Sequence, residues 1–119
     1  MIGSGTMDDP WEKAVKKLYE LTEAGKLHWD RAPSYSQSGR VAGLVYTAKT
    51  SGKTIVVFEE RGGGGSFVTN DSHVVIEFVD EKWQTEWRWP GMSEGWRLLE
   101  SVKFQVAAGQ DFLQDLLAQ

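Results

Sequence analysis

The chain has 119 residues, 40% of them hydrophobic and 25% charged, which suffices for one globular core and leaves no room for a second domain. It contains no cysteine, so disulfides and thiolate chemistry are excluded, and a formal net charge of -4 argues against nonspecific adhesion to nucleic acid or an anionic membrane. No window approaches the ~20 apolar residues of a membrane-spanning helix and the N-terminus lacks the layout of a signal peptide, so a cytoplasmic location is expected.

Residues 1–6 read as an expression leader, with Met7 as the natural start and 7–119 as a single domain. Asp9-Pro10 opens a helix, Asp9 as N-cap and Pro10 at the first helical position, where a missing N–H costs nothing. Trp11, Ala14, Val15, Leu18 and Leu21 recur at helical spacing, and Gly25 stands where a left-handed C-cap is wanted. Lys26-Leu27-His28-Trp29 alternates and can add an edge strand, after which residues 31–39 form a loop anchored by Tyr35.

Residues 41–49 and 54–60 are strands joined at Ser51-Gly52. Pairing Lys49 with Thr54 puts Leu44, Tyr46, Ala48, Ile55 and Val57 on one face and Val45, Thr47, Val56 and Phe58 on the other. The glycine run 62–65 is a flexible connection that is also similar to an engineered linker.

Residues 73–89 read as a second hairpin. A turn of two or four residues near Glu81-Lys82 sets Val74, Ile76 and Phe78 on the face of Trp83, Thr85, Trp87 and Trp89. Val75, Glu77 and Val79 then share the other face with Gln84, Glu86 and Arg88, whereas a three-residue turn would mix the faces. In that register Glu77 and Glu86 are cross-strand neighbours, and Arg88, diagonal to Glu77, is the compensating charge.

Pro90-Gly91 ends the sheet and Ser93 begins a final helix whose stripe runs through Trp96, Leu99, Val102, Val106, Leu113 and Leu117. Gly109 is a candidate kink and Asp111 a candidate second cap. Residues 102–106 also alternate like a strand, so both readings stay open there.

The resulting expectation is an α+β two-layer domain, an antiparallel meander of four or five strands with N- and C-terminal helices on one face. A second apolar face is left over. Either it is bare and binds a protein partner or a second copy through Val45, Phe58, Val75, Glu77, Val79, Glu86 and Arg88, or the loop carrying Tyr35 folds across it.

The run 18–29, Leu-Tyr-Glu-Leu-Thr-Glu-Ala-Gly-Lys-Leu-His-Trp, and the closing run 102–117 resemble a set of small uncharacterised bacterial α+β proteins. Those proteins open with a helix ending Leu-Thr, two residues, Gly-Lys/Arg-Leu, one residue, Trp, and they close with a helix. The resemblance implies a helical 102–117 and a bacterial source. It brings no activity and no catalytic residue.

Few residues here point to chemistry. Gly52-Lys53-Thr54 has the tail of a phosphate loop, but Thr47 stands where the first glycine belongs and no helix follows. His28 and His73 are the only histidines, 45 positions apart, and form no spaced ligand pair, so neither a metal nor a cofactor is expected. The expected role is non-enzymatic protein association. The alternative is a pocket of Trp29, Tyr35, Tyr46, Trp87 and Trp89 holding an aromatic or cationic small molecule against a Glu counter-charge.

Overall fold

The computed structural model describes residues 9–32, 41–61, 72–91 and 94–119. Residues 1–6, expected to be a leader, Tyr35 and the glycine run lie outside them. Helix α1 (Pro10–Glu23) starts as its sequence requires: the Asp9 carboxylate accepts the Trp11 backbone N–H at 2.9 Å. Behind Gly25, at φ +73°, the chain runs through buried Leu27 and Trp29 into a short edge strand β1 (Asp30–Arg31). Strands β2 (Val41–Thr50), β3 (Lys53–Arg61), β4 (Ser72–Val79) and β5 (Thr85–Arg88) complete an antiparallel meander in the order β1-β2-β3-β4-β5. Helices α2 (Gly95–Val106) and α3 (Gly109–Leu117) close the chain, so residues 102–106 are helical.

One sheet face meets α1 and α2. Val15 and Leu18 from α1 and Leu98, Leu99 and Val102 from α2 pack on Tyr46, Ala48, Ile55, Val57 and Ile76. Trp11 fills the corner, its ring centroid 4.9 Å from that of Trp87 and 4.8 Å from that of Trp89. The end of α1 is tied down by polar groups set among apolar ones. Trp29 Nε1 donates to Thr22 Oγ1 at 2.9 Å, and Thr22 Oγ1 donates to the Leu18 carbonyl at 2.7 Å. From α2 the Gln105 amide accepts the Trp29 N–H at 2.7 Å and donates to the Leu27 carbonyl at 2.8 Å. Thr22, Leu27 and Trp29 are thus used for architecture.

The β2–β3 register has Lys49 opposite Thr54 across Ser51-Gly52, both at positive φ as a tight hairpin turn requires. Faces divide as the alternation predicts, except at Leu44. A bulge at Gly43 (φ +88°) inserts two residues between the Ala42 and Tyr46 pairs, and Leu44, within it, is exposed instead of facing the helices. Because the insertion is even, Val41 and Val45 still share the outer face.

The β4–β5 hairpin departs further. Its turn has three residues, Glu81-Lys82-Trp83, closed by the Asp80 N–H on the Gln84 carbonyl at 3.0 Å. The Asp80 carboxylate accepts the Lys82 and Gln84 N–H groups, each at 2.9 Å, and Trp83 adopts φ +64°. An odd turn inverts the faces, so Trp83 and Thr85 lie on the outer side and not beside the helices. A one-residue bulge at Glu86 then inverts them back: Val79 pairs with Thr85, but Phe78 pairs with Trp87 and Glu77 with Arg88. Trp87 and Trp89 reach the helix side by this double inversion. Glu86 is therefore no neighbour of Glu77; it swings to Lys53, 3.3 Å away, which also sits over the Phe78 ring.

The final helix is not one stripe. Ala108 turns left-handed (φ +56°) between α2 and α3, and the Phe104 ring lies so close to Gly109 that a Cβ there would come within 2.3 Å of it. Beyond this break Leu113 and Leu117 are exposed, and Trp96, at the other end of the predicted stripe, is also exposed.

Candidate functional site

The outer sheet face carries an apolar cluster of Val45, Val56, Phe58, Val75 and Val79, with Ala32, Val41 and Trp83 packed against it. These five are buried within the single chain, Phe58 completely. The expectation of a bare face is therefore not met. Of the seven residues assigned to an interface, Val45, Phe58, Val75, Val79 and Glu77 are inside, and only Glu86 and Arg88 present substantial surface.

Beside this cluster lies a charged group. Arg88 Nε donates to Glu77 Oε2 at 2.8 Å, and its two terminal nitrogens donate to the two oxygens of Glu60 at 3.1 Å each, so the guanidinium spans β4 diagonally. Thr85 Oγ1 donates to Glu77 Oε1 at 2.8 Å, and His73 Nε2 lies 3.1 Å from Glu60 Oε1. Glu77 is only 2% exposed, so its carboxylate oxygens need these hydrogen-bond partners. Burial alone would raise the Glu60 pKa, but hydrogen bonds and charge from Arg88, then His73, outweigh it and hold the carboxyl below the ordinary range. Burial likewise works to lower Arg88, and the hydrogen bonds and charges of the two glutamates overcome it and raise the guanidinium.

Chemically this group has little to offer a substrate. A carboxylate held ionised by arginine is a poor general acid, and each of the three Arg88 nitrogens is already engaged, which leaves no open fork for an anion. His28 is exposed in the segment before β1 and His73 stands on the outer side of the sheet, so they are not brought together on one element. Among the described residues no group of His, Asp and Glu could hold a metal ion. Sequence reasoning did not single out Glu60 or Thr85, because the three-residue turn is what sets Thr85 on the outer face beside Glu77, and Glu60 joins only through the reach of Arg88 across β4.

The aromatic residues considered for a pocket do not line one. Trp29 and Tyr46 are buried in the main core, Trp89 is buried against Trp11, and Trp87 is half-exposed at the edge strand. Tyr35 lies outside the described residues. The Trp89 Nε1–H is buried with no hydrogen-bond partner among the described residues, held between Trp11 and Phe78.

A larger feature is α3. It is amphipathic and buries none of its residues: Phe112 is 63% exposed, Leu113 41%, Leu116 48% and Leu117 79%. At about 100° per residue these four fall on one side of the helix, with Gly109 in the middle of that side. The half-exposed Phe104 ring rests on Gly109 and so extends the apolar surface onto α2. From there an open groove between α1 and α2 runs past Tyr19 and Trp96, with Arg97 stacked on the Tyr19 ring at 5.0 Å and the Ser101 hydroxyl bonded to Glu23.

No protein-family model, no curated protein and no solved structure matches the chain. No helix among the described residues is long and apolar enough to cross a membrane.

Proposed function

We propose that this chain is a non-enzymatic domain that works by protein association, and that its contact surface is the apolar side of α3 with Phe104, in place of the outer sheet face. The single observation that carries this reading is an amphipathic helix none of whose residues is buried, with Phe112 and Leu117 mostly exposed. Short helices are marginal in water unless packing supports them, so an apolar stripe facing solvent is best explained by something that binds it. The charged group on the outer face keeps that side folded and oriented within the chain. The pocket reading is not favoured by any arrangement of the aromatic rings.

The test is the double variant Leu113→Glu/Leu116→Glu in dilute solution. Its unfolding free energy should stay within about 1 kcal/mol of the parent, as for surface positions. Binding of the apolar dye 8-anilinonaphthalene-1-sulfonate should fall sharply. A loss of stability on the scale of a core substitution would mean that α3 is part of the fold, and the reading would be abandoned.

A further inference from the structure

We propose that the break at Ala108 is an elbow with two positions: α3 either stands bent from α2, as in this structure, or continues it as one helix from Gly95 to Leu117. The elbow stands whether or not the apolar side of α3 binds a partner. Nothing in the sequence between those residues forbids a single helix. It holds no proline, and the two residues at the break, Ala107 and Ala108, are of the strongest helix-forming type. Drawn as one helix at about 100° per residue, the middle of Phe112, Leu113, Leu116 and Leu117 falls within about 30° of the middle of Leu98, Leu99, Val102 and Val106, the stripe that α2 packs into the core. Two unrelated helices have no reason to share a phase.

The backbone supplies the second argument. Ala108 sits at φ +56°, a left-handed conformation that costs any residue with a Cβ, and no side chain caps the start of α3. The Ala108 N–H reaches only the Gln105 carbonyl, at 3.0 Å, and regular spacing resumes where the Phe112 N–H donates to the Ala108 carbonyl at 3.1 Å. In one unbroken helix the N–H groups of Gly109, Gln110 and Asp111 donate to the carbonyls of Gln105, Val106 and Ala107, and Ala108 returns to its preferred conformation. Two things hold the bend instead: the Phe104 ring resting on Gly109, and Asp111 in the first turn of α3, where a negative charge suits a helix start. Straightening lines the apolar side of α3 up with the stripe that α2 lays on the sheet, so the elbow sets which way that side faces.

The chain carries no cysteine, so spin labels at Glu20→Cys on α1 and Asp115→Cys on α3, both exposed positions, report one distance for each arrangement in dilute frozen solution. Pulsed dipolar electron paramagnetic resonance should resolve two distances, one given by this structure and one by α3 laid along the α2 axis. Ala108→Gly relieves the left-handed turn and weakens an unbroken helix, and should raise the ratio of bent to straight about 10-fold. Gly109→Ala sets a Cβ against the Phe104 ring in the bent form and favours the unbroken helix, and should lower that ratio by a similar factor. Phe104→Ala, at a half-exposed position, removes the same contact without touching the linker and should act in the same direction. Unfolding midpoints close to that of the parent would confirm that the body of each variant is intact.

A single distance in the parent that neither Gly109→Ala nor Phe104→Ala changes overturns the elbow. A second distance that emerges only in those two variants supports it, with the bent form favoured in the parent. A ratio that Ala108→Gly and Gly109→Ala move in the same direction overturns the assignment of the hinge to Ala108. Each distance is read within one chain, so these outcomes are separate from the Leu113→Glu/Leu116→Glu test of association, and the failure of one leaves the other standing.

Discussion

The outer face of the sheet and the outward side of α3 are both apolar, and both follow from simple periodicity, yet the chain treats them oppositely. Val56 and Phe58 are wholly buried with a charged group stationed beside them, whereas the four large apolar residues of α3 face solvent. Periodicity reports which side chains share a face and is silent about what lies over that face. The sheet face is part of the folding unit, and the helix face is proposed to be finished by another molecule.

That contrast can be broken in several ways. The largest effect is expected at Phe58→Ala, where a completely buried ring leaves a cavity and about 3–5 kcal/mol of stability is lost, read from chemical denaturation. An equally large loss at Leu117→Ala would erase the distinction between the two faces; that substitution should cost no more than ~0.5 kcal/mol. Between these extremes lies Arg88→Ala. It strands the buried Glu77 and Glu60 carboxylates, and because Arg88 is itself half-exposed the expected loss is about 2 kcal/mol, below that of a fully buried pair.

Acid sharpens the same comparison. Glu60 has its folded pKa depressed below the ordinary 4.5, so its contribution to stability is present above that value and is lost as pH falls through the folded value. Denaturation midpoints should therefore decline below about pH 4.5, and Glu60→Gln should flatten that decline. An unchanged acid slope in Glu60→Gln would show that the Arg88 contact contributes nothing in solution.

Much of the architecture is legible in the sequence because local rules and global packing agree there. Asp9-Pro10 and Gly25 bracket α1 as capping chemistry demands, and Ser51-Gly52 fixes the β2–β3 register to the residue. Legibility fails where the backbone does something its residues do not advertise. Trp83 and Ala108 adopt positive φ with no glycine to mark it, and Glu86 bulges in a stretch that reads as plain alternation. The charged group was only half visible: Glu77 and Arg88 stood out as a charge pair, but their direct opposition depends on that bulge. Thr22 and Gln105 were hidden for another reason, since a polar residue on an apolar stripe reveals its partner only once the helices are packed.

The two irregularities of the β4–β5 hairpin also bear on how this sequence can change. Removing one residue from the Glu81-Lys82-Trp83 turn would leave Asp80 opposite Gln84 across a two-residue turn, and removing Glu86 would leave Phe78 opposite Trp87 and Glu77 opposite Arg88, so neither deletion turns a side chain to the other face. Removing both would likewise keep every cross-strand pair from Glu77 to Arg88. The faces of this hairpin are thus uncoupled from its length, so a chain could lose either residue, in either order, and still keep Trp87 and Trp89 against Trp11 of α1.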